Sequence, residues 1–158
     1  MTDTILVREA AMADINVLID FNIAMALETE RKTLDSRVLS AGVAAVIAEP
    51  KRGFYLVAEH DREVVGCLLI TYEWSDWRNG DWWWFQSVYI RPEYRRKGVF
   101  RTLYVEVEHL AKARPDVAGL RLYVERDNVH AQRTYEALGM SDSGYRMYAK
   151  AYNPSAAG

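Results

Sequence analysis

The sequence predicts an α+β fold in which a mixed β-sheet carries helices on its faces. Three observations lead to this prediction. Apolar residues alternate in six short segments, they recur at helical spacing in four others, and these segments follow one another as β-α-α-β-β-β-α-β-α-β. The 158 residues contain neither a repeat nor a linker, so we expect one domain over 4–151 and a disordered tail over 152–158.

The first half of the chain supplies a strand, two helices and a hairpin. A short strand over 4–9 precedes an amphipathic helix that runs from Met12 to about Leu27. Asp35 is a suitable N-cap for the second helix, which ends before Pro50. FYLVAEH and VVGCLLITYEW are then typical of the two strands of a hairpin. Because the second of these strands is apolar on both faces, we expect it at the centre of the sheet.

The second half alternates between strands and helices. Asn79-Gly80 is the strongest turn signal in the chain and leads into the strand WWWFQSVYI. A helix over 98–113 and the strand LRLYVE follow. Asn128 is suited to cap a short helix that ends at Gly139, and a last strand is expected over about 143–150.

Composition and charge exclude several classes of protein. The net charge is −2, whereas a general nucleic-acid binder carries a basic face, so no nucleic-acid partner is expected. A signal-peptide pattern and a bilayer-spanning apolar run are both absent, which favours a cytoplasmic protein without a membrane partner. The three histidines lack metal-ligand spacing, so no metal is expected. Cys67, in the apolar run VVGCLLI, is interpreted as a buried thiol.

One short run, SVYIRPEYRRKGVFRTLY, joins a strand, a cationic turn and the start of a helix. A helix N-terminus presents unpaired N–H groups and a partial positive charge, and a glycine there lets a ligand approach closely. Four cations at that point predict a site for a multiply charged anion, most simply a pyrophosphate. They are Arg95, Arg96, Lys97 and Arg101. A solvated basic helix start is the alternative. Neither GxxxxGK(S/T) nor GxGxxG occurs, so this anion site belongs neither to a P-loop nor to a dinucleotide-binding fold.

Two motifs carry a resemblance to a known family. RRKGVF resembles the first acetyl-CoA signature, Q/R-x-x-G-x-G/A, of the GNAT N-acetyltransferase superfamily. NVHAQRTYEALGM resembles its second signature, N-x-x-A-x-x-x-Y-x-x-x-G-F/M. The predicted order of elements agrees with the family fold, which implies a mostly antiparallel sheet with one splayed strand pair. Phe100 departs from the first signature, where the family has Gly or Ala, and we expect its ring to turn into the core.

The resemblance implies how acetyl-CoA would bind. Main-chain groups of Val88, Tyr89 and Ile90, on a bulged strand, would pair with the pantetheine arm. The Val88 N–H would polarise the thioester carbonyl. The pyrophosphate site would comprise the turn and the helix start: Arg95, Arg96, Lys97, Gly98, Val99, Phe100 and Arg101. Asn128 would bind the pantetheine or shape its helix start, and Ala131 also belongs to the implied cofactor site.

The resemblance also implies that an amine attacks the thioester directly in a ternary complex. Tyr135 matches the family's general acid and would protonate the leaving thiolate, with a structural core tyrosine as the alternative. The strand glutamate that many members use as general base aligns with Trp84, so that base is missing. Glu73 and Glu28 are candidates to replace it. A water chain or an amine of low pKa would also serve.

Five tryptophans cluster around one predicted hairpin. Strand alternation places Trp82 and Trp84 on one face and Trp83 on the other. Trp82 and Trp84, together with Glu28 and Glu73, are candidates to bind a cationic amine. Core packing, or the interface of a homodimer, would explain the tryptophans equally well.

The leading hypothesis is an acetyl-CoA-dependent N-acetyltransferase that acts on a primary amine of a small molecule or peptide. The alternative is a catalytically weak CoA-binding sensor or regulatory module of the same fold, which the missing glutamate and Phe100 favour. A third hypothesis, a single-stranded nucleic-acid platform of aromatic and basic residues, conflicts with the acidic net charge.

Overall fold

The fold is that of a computed structural model, which describes residues 4–153. In this part of the chain one sheet has five strands, in the order β1-β2-β3-β4-β5. They are β1 (Leu6–Glu9), β2 (Gly53–His60), β3 (Glu63–Ser75), β4 (Gly80–Ile90) and β5 (Val117–Arg121). The helices are α1 (Ile15–Glu30), α2 (Ser36–Ala48), α3 (Val99–Lys112) and α4 (Val129–Ala137). The pair β4–β5 is parallel and the other pairs are antiparallel, so the predicted α+β fold with a mostly antiparallel sheet is confirmed.

β3 is the central strand, as its two apolar faces predict. Val65, Leu68 and Ile70 are completely inaccessible to solvent. One face of the sheet packs against α1, where Phe21 lies 4.9 Å from Tyr89 between ring centroids. The sheet is therefore covered on this face by a helix that contributes aliphatic and aromatic side chains to the main core.

α3 covers the opposite face of the sheet. Leu103 and Val107 of this helix are fully buried, and Tyr104 stacks on Phe85 of β4 at 5.4 Å and 9° between ring planes. Apolar residues three and four apart place these side chains on one stripe of the helix.

Side-chain caps begin two helices at the residues that the sequence predicts. Asp35 Oδ1 accepts a hydrogen bond from the Arg37 N–H at 2.9 Å. Asn128 Oδ1 accepts one from the Ala131 N–H at 3.1 Å. Each side chain pairs one of the N–H groups that have no partner within the helix.

The structure differs from the prediction after Arg121. β5 covers Val117–Arg121, so most of the expected strand LRLYVE lies outside it, and the last strand expected over about 143–150 is not formed. Its alternating apolar residues are exposed, including Tyr145 and Met147. Alternation marks a segment that can become a strand, but a strand also needs a neighbour to pair its N–H and C=O groups.

The described residues fall into two compact units, of which the first ends at Arg121 and the second begins at Leu122. The first unit contains the whole sheet and α1 to α3, and the second contains α4. Part of the expected tail, 154–158, lies outside the described residues. Within 4–153, no helix is both long and apolar enough to cross a membrane.

Candidate active site

The edge of β4 that faces β5 is paired along one half of the strand. The last pair in the parallel ladder joins Trp84 to Arg121, whereas β4 continues to Ile90. Within the described residues, no strand pairs with 85–90 on that side. The edge of β4 over 85–90 is therefore unpaired in the described structure, and an extended ligand could add itself to this edge through main-chain hydrogen bonds.

A bulge interrupts β4 within this unpaired segment. Cys67 is opposite Tyr89 and Leu69 is opposite Gln86, so three steps on β4 match two steps on β3. Ser87 supplies the extra residue with a φ of 48°, in the left-handed region that non-glycine residues rarely adopt. The bulge changes the direction in which the following main-chain groups point.

Cys67 lies beside this bulge as a buried thiol, as predicted. Its Sγ donates to the Ser87 carbonyl at 3.6 Å, and the side chain is completely buried. Burial raises the pKa of the thiol to about 12. At neutral pH it is a neutral packing group rather than a nucleophile.

Main-chain alternation assigns different sides of β4 to the residues that were expected to hold pantetheine. The Arg91 N–H donates to the Val65 carbonyl of β3 at 2.8 Å, so the main chain of Ile90 faces the open side. Tyr89 is paired with Cys67 and directs its main-chain groups to β3. Val88 lies within the bulged segment. The geometry favours Val88 and Ile90 over Tyr89 as main-chain partners for a ligand on this edge.

The turn after β4 ends at Gly98, which has a φ of 80° and begins α3 without a side-chain cap. A Cβ added to Gly98 would meet no atom within 4 Å, so the space beside this glycine is open. The first intrahelical bond joins the Thr102 N–H to the Gly98 carbonyl at 3.0 Å. The N–H groups of 99–101 precede that bond and point out of the helix start, which is the arrangement that binds phosphate groups.

The cations around this turn have different roles. Arg95 is held in place: its Nη2 pairs with Glu28 at 2.8 Å and its Nε donates to the Ile90 carbonyl at 2.9 Å. Arg96, Lys97 and Arg101 are exposed. Arg95 therefore links α1 to the end of β4, and the other three cations are accessible to an anion.

Phe100 turns its ring away from the turn, as its size predicts. Its ring centroid lies 6.5 Å from that of Phe85 and 6.2 Å from that of Tyr104. The bulky side chain at this position of the motif is thus accommodated by the aromatic group that packs α3 on the sheet.

A second cluster lies at the last pair of the β4–β5 ladder. Glu73 Oε1 accepts hydrogen bonds from Arg121 Nη1 at 2.6 Å and from Trp84 Nε1 at 3.3 Å. The Arg121 guanidinium lies 3.8 Å from the centroid of the Trp82 ring, and that of Arg78 lies 4.9 Å from it. Guanidinium groups of the protein itself thus contact the Trp82 ring that was expected to receive a cationic amine.

The remaining tryptophans have separate positions. Trp83 is buried on the opposite face, with its centroid 5.2 Å from Phe54 and 6.0 Å from Tyr72. Trp74 and Trp77 are 64% and 89% exposed in the β3–β4 hairpin. The predicted division of Trp82, Trp83 and Trp84 between two faces is confirmed by the strand register.

In the second unit, Tyr135 lies on α4 and is partly buried. Burial raises the pKa of its phenol, so the hydroxyl is protonated at neutral pH. The Asn128 side chain is engaged in capping the same helix. Within the described residues, no group of three His, Cys, Asp or Glu side chains could hold a metal ion.

Comparison with known proteins identifies the family. The model of the Acetyltransferase (GNAT) family matches residues 23–140, well over half of the chain. The chain belongs to this family.

Solved structures agree with this GNAT assignment. A protein of Clostridium difficile 630, described as a possible acetyltransferase, is 43% identical over 94% of this chain and 98% of its own, with a TM-score of 0.88. A transcriptional regulator of Bacillus halodurans C-125 is 21% identical, covers 93% and 99% of the two chains, and has a TM-score of 0.78. A predicted acetyltransferase with acetyl-CoA, from Clostridium acetobutylicum, is 15% identical over 93% and 96%, with a TM-score of 0.77. The latter two show the shared fold. No curated protein matched the sequence.

In this GNAT acetyltransferase family member, the first motif lies at the end of the open β4 edge. Glu73, Trp82 and Trp84 form one cluster, whereas Glu28 belongs to the ion pair with Arg95. Sequence analysis missed Arg121. The alternation of apolar residues in LRLYVE could have assigned the Arg121 side chain to one face of the sheet. Its contact with Glu73 could not be predicted, because that contact depends on the register of β3, β4 and β5.

Proposed function

We propose that this protein is an acetyl-CoA-dependent N-acetyltransferase that transfers the acetyl group to a primary amine of a small molecule or peptide. The amine would attack the thioester directly in a ternary complex. The observation that carries the proposal is the continuity of the unpaired, bulged edge of β4 with the open turn at Gly98. An extended thioester-bearing arm and a pyrophosphate need these two features at adjacent places.

The cofactor would occupy the first motif as follows. Main-chain groups of Val88 and Ile90 would pair with pantetheine, with the Val88 N–H directed at the thioester carbonyl. The N–H groups from Arg96 to Arg101 would hold the pyrophosphate, and the exposed cations would balance its charge. Arg95 would act indirectly, because its hydrogen bond to the Ile90 carbonyl fixes the orientation of that peptide group and the path of the turn. No metal takes part in this proposal.

Two proton transfers would use residues on different elements. Tyr135 would protonate the leaving thiolate, a role supported by its place in the second motif. Glu73 is favoured over Glu28 as the proton acceptor, through water, because its carboxylate contacts Trp84, the position where many family members have the base. Glu28 is engaged by Arg95.

The acceptor amine would lie near Glu73 and Trp84 rather than on the ring of Trp82. Arg121 and Arg78 already contact that ring, so an incoming ammonium would have to displace a guanidinium group. We propose a small-molecule or peptide amine as partner, in the cytoplasm, without a nucleic-acid or membrane partner. A homodimer is compatible with the exposed Trp74 and Trp77.

The second candidate is a CoA-binding sensor or regulatory module of the same fold. The observation that favours it is that both candidate carboxylates are engaged in ion pairs, Glu73 with Arg121 and Glu28 with Arg95. Such a module would bind acetyl-CoA and release no thiol with any amine.

Calorimetric titration with acetyl-CoA, followed by thiol release from a panel of amines, tests the proposal. We expect micromolar binding in the wild type and in Tyr135→Phe, with turnover in the wild type and a loss of about 10²–10⁴-fold in the variant. Binding without turnover across the panel would favour the sensor. Absence of acetyl-CoA binding would refute both functions.

A further inference from the structure

An ion pair between Arg121 and Glu73 bridges two strands across the face of β4. Arg121 is the last residue of β5, and Glu73 of β3 is paired in register with Trp82 of β4. Arg121 Nη1 and Glu73 Oε1 are 2.6 Å apart, and the two side chains are 33% and 50% exposed. The pair is therefore accessible to a ligand from solvent.

Both members of this ion pair have polar atoms that the pair does not use. Glu73 Oε1 accepts the hydrogen bond from Arg121 as well as the one from the Trp84 indole. Within residues 4–153, Nη1 makes the one hydrogen bond of the Arg121 guanidinium. A guanidinium has further N–H donors and a carboxylate has a second acceptor oxygen. The Nε–Nη2 edge of Arg121 and Oε2 of Glu73 can therefore bind a ligand.

The Trp82 ring restricts the Arg121 guanidinium on one side. The guanidinium carbon lies 3.8 Å from the ring centroid, which leaves no space for a ligand between the two groups. Glu73 holds the same guanidinium at Nη1. A side chain that is already held by a ring and a carboxylate loses less conformational entropy when it binds a ligand.

The charges around the Trp82 ring do not suit an acceptor that carries a positive charge alone. Arg78 contacts this ring at 4.9 Å, so it lies beside two guanidinium groups and one carboxylate. An ammonium ion would gain one opposite charge there and meet two like charges. An acceptor with both an ammonium group and a carboxylate would pair with charges of both signs, and arginine binds carboxylates through two parallel hydrogen bonds.

We propose that the acceptor is an amino acid, and that Arg121 selects it by binding its carboxylate through the Nε–Nη2 edge while Glu73 Oε2 receives its ammonium group. This inference rests on the proposed function and narrows the acceptor to a zwitterionic amine. In the transfer, a bond forms between the amine nitrogen and the acetyl carbon, and the C–S bond breaks. The ammonium group loses two protons, of which one ends on the CoA sulfur and the other in solvent. The products are an N-acetylated amino acid and CoA.

The first test compares three amino acids with their primary amides as acceptors: glycine, β-alanine and γ-aminobutyrate. Thiol release gives the preference, which is the kcat/KM of an amino acid divided by that of its amide. In the wild type we expect a preference of at least about tenfold for the best pair, mainly through KM. In Arg121→Gln this preference should be lost. Differences in amine pKa cancel, because each acceptor is compared with itself in the two proteins.

Arg114→Gln is the matched control for this substitution. Arg114 is also an exposed arginine paired with a carboxylate, at 3.0 Å from Asp116, but it does not contact the Trp82 ring. The preference for the amino acid should be the same in Arg114→Gln as in the wild type.

Binding of the amino acid can be observed separately from acetyl transfer. The Trp84 indole N–H donates to Glu73 at 3.3 Å, so a ligand at this carboxylate should shift its NMR resonance. The resonance is assigned by its loss in Trp84→Phe. In the CoA-bound protein we expect a saturable shift with the amino acid, and an affinity at least about tenfold lower for the amide.

A role of Arg121 in folding alone would affect amino acid and amide equally, so an unaltered preference in Arg121→Gln would overturn the inference. A wild type that prefers the amides would overturn it without any variant. If Arg121→Gln does not fold, Arg121→Lys keeps the charge without the two-bond edge and should lower the preference, and an unaltered preference there would overturn the inference as well. Transfer to simple amines without a preference for amino acids refutes this inference alone. Absence of transfer with the shift of the Trp84 resonance retained refutes the proposed function and supports the amino-acid site.

Discussion

Replacement of Gly98 by alanine separates the backbone requirement of the turn from its role in binding an anion. Gly98 has a φ of 80°, and an added Cβ would meet no atom within 4 Å. The folding cost is therefore the left-handed conformation alone, about 1–2 kcal/mol. Binding should suffer more, because a methyl group would enter the open space beside the N–H groups of the helix start. Loss of one or two hydrogen bonds to a charged phosphate, at about 1.5–3 kcal/mol each, predicts a fall in acetyl-CoA affinity of at least about tenfold.

Gly144 provides a matched control for this substitution. Its φ is 79° and an added Cβ would also meet no atom within 4 Å, but it lies outside both motifs. Urea unfolding and calorimetric titration with acetyl-CoA should show small stability losses in both alanine variants and an affinity loss in Gly98→Ala alone. Wild-type affinity in Gly98→Ala would refute the assignment of this turn to the pyrophosphate. A stability loss above about 4 kcal/mol would refute the inference that strain is its only folding cost.

Three further predictions follow from individual side chains. Glu73→Gln should leave the affinity for acetyl-CoA within twofold of the wild type. It should lower the rate of acetyl transfer, measured by thiol release across pH 6–9, by about 10²-fold or more. An unchanged dependence of the rate on pH would exclude this carboxylate as the proton acceptor. Cys67 should resist iodoacetamide at pH 8 until the protein is unfolded, since a pKa of about 12 leaves about one thiol in 10⁴ ionised, and rapid labelling of the native protein would contradict its burial. Arg8 donates a hydrogen bond of 2.7 Å to Asp14, and this bond holds the pKa of the Asp14 carboxyl below its usual value. The ionised carboxylate therefore stabilises the folded protein above pH about 4, and this stabilisation is lost as the pH falls through the lowered pKa. In Asp14→Asn, urea unfolding should show lower stability at pH 7 and a weaker dependence on pH below 4, and an unaltered acid limb would contradict this assignment.

Much of the fold could be predicted because its signals are local. Asp35 and Asn128 begin helices where a side-chain acceptor precedes an apolar helical pattern, and each caps its helix in the structure. The two apolar faces of β3 predicted its central position for a similar reason. A strand whose side chains are buried on both faces is typical of the centre of a sheet, where both faces are covered by other elements. The expected last strand over about 143–150 was wrong, because alternation alone does not supply a pairing partner.

The candidate site was predictable in part for the same physical reason. The two motifs are short and contiguous, so their residues could be named from the sequence. Contacts such as the pair of Glu28 with Arg95, 67 positions apart, could not.

By itself, the sequence of this protein determined the order of helices and strands as far as α4, the glycine at the start of α3 and the two motifs of the GNAT family. These features depend on backbone preferences and on residues within a few positions of each other. The tertiary structure alone decided that Glu73 faces Arg121 and Trp84, that Arg95 links α1 to the end of β4, and that the Cys67 thiol reaches the Ser87 carbonyl in the bulge. Each of these contacts depends on strand register and helix packing, and a shift of one residue in β4 would turn the side chains concerned to the opposite face.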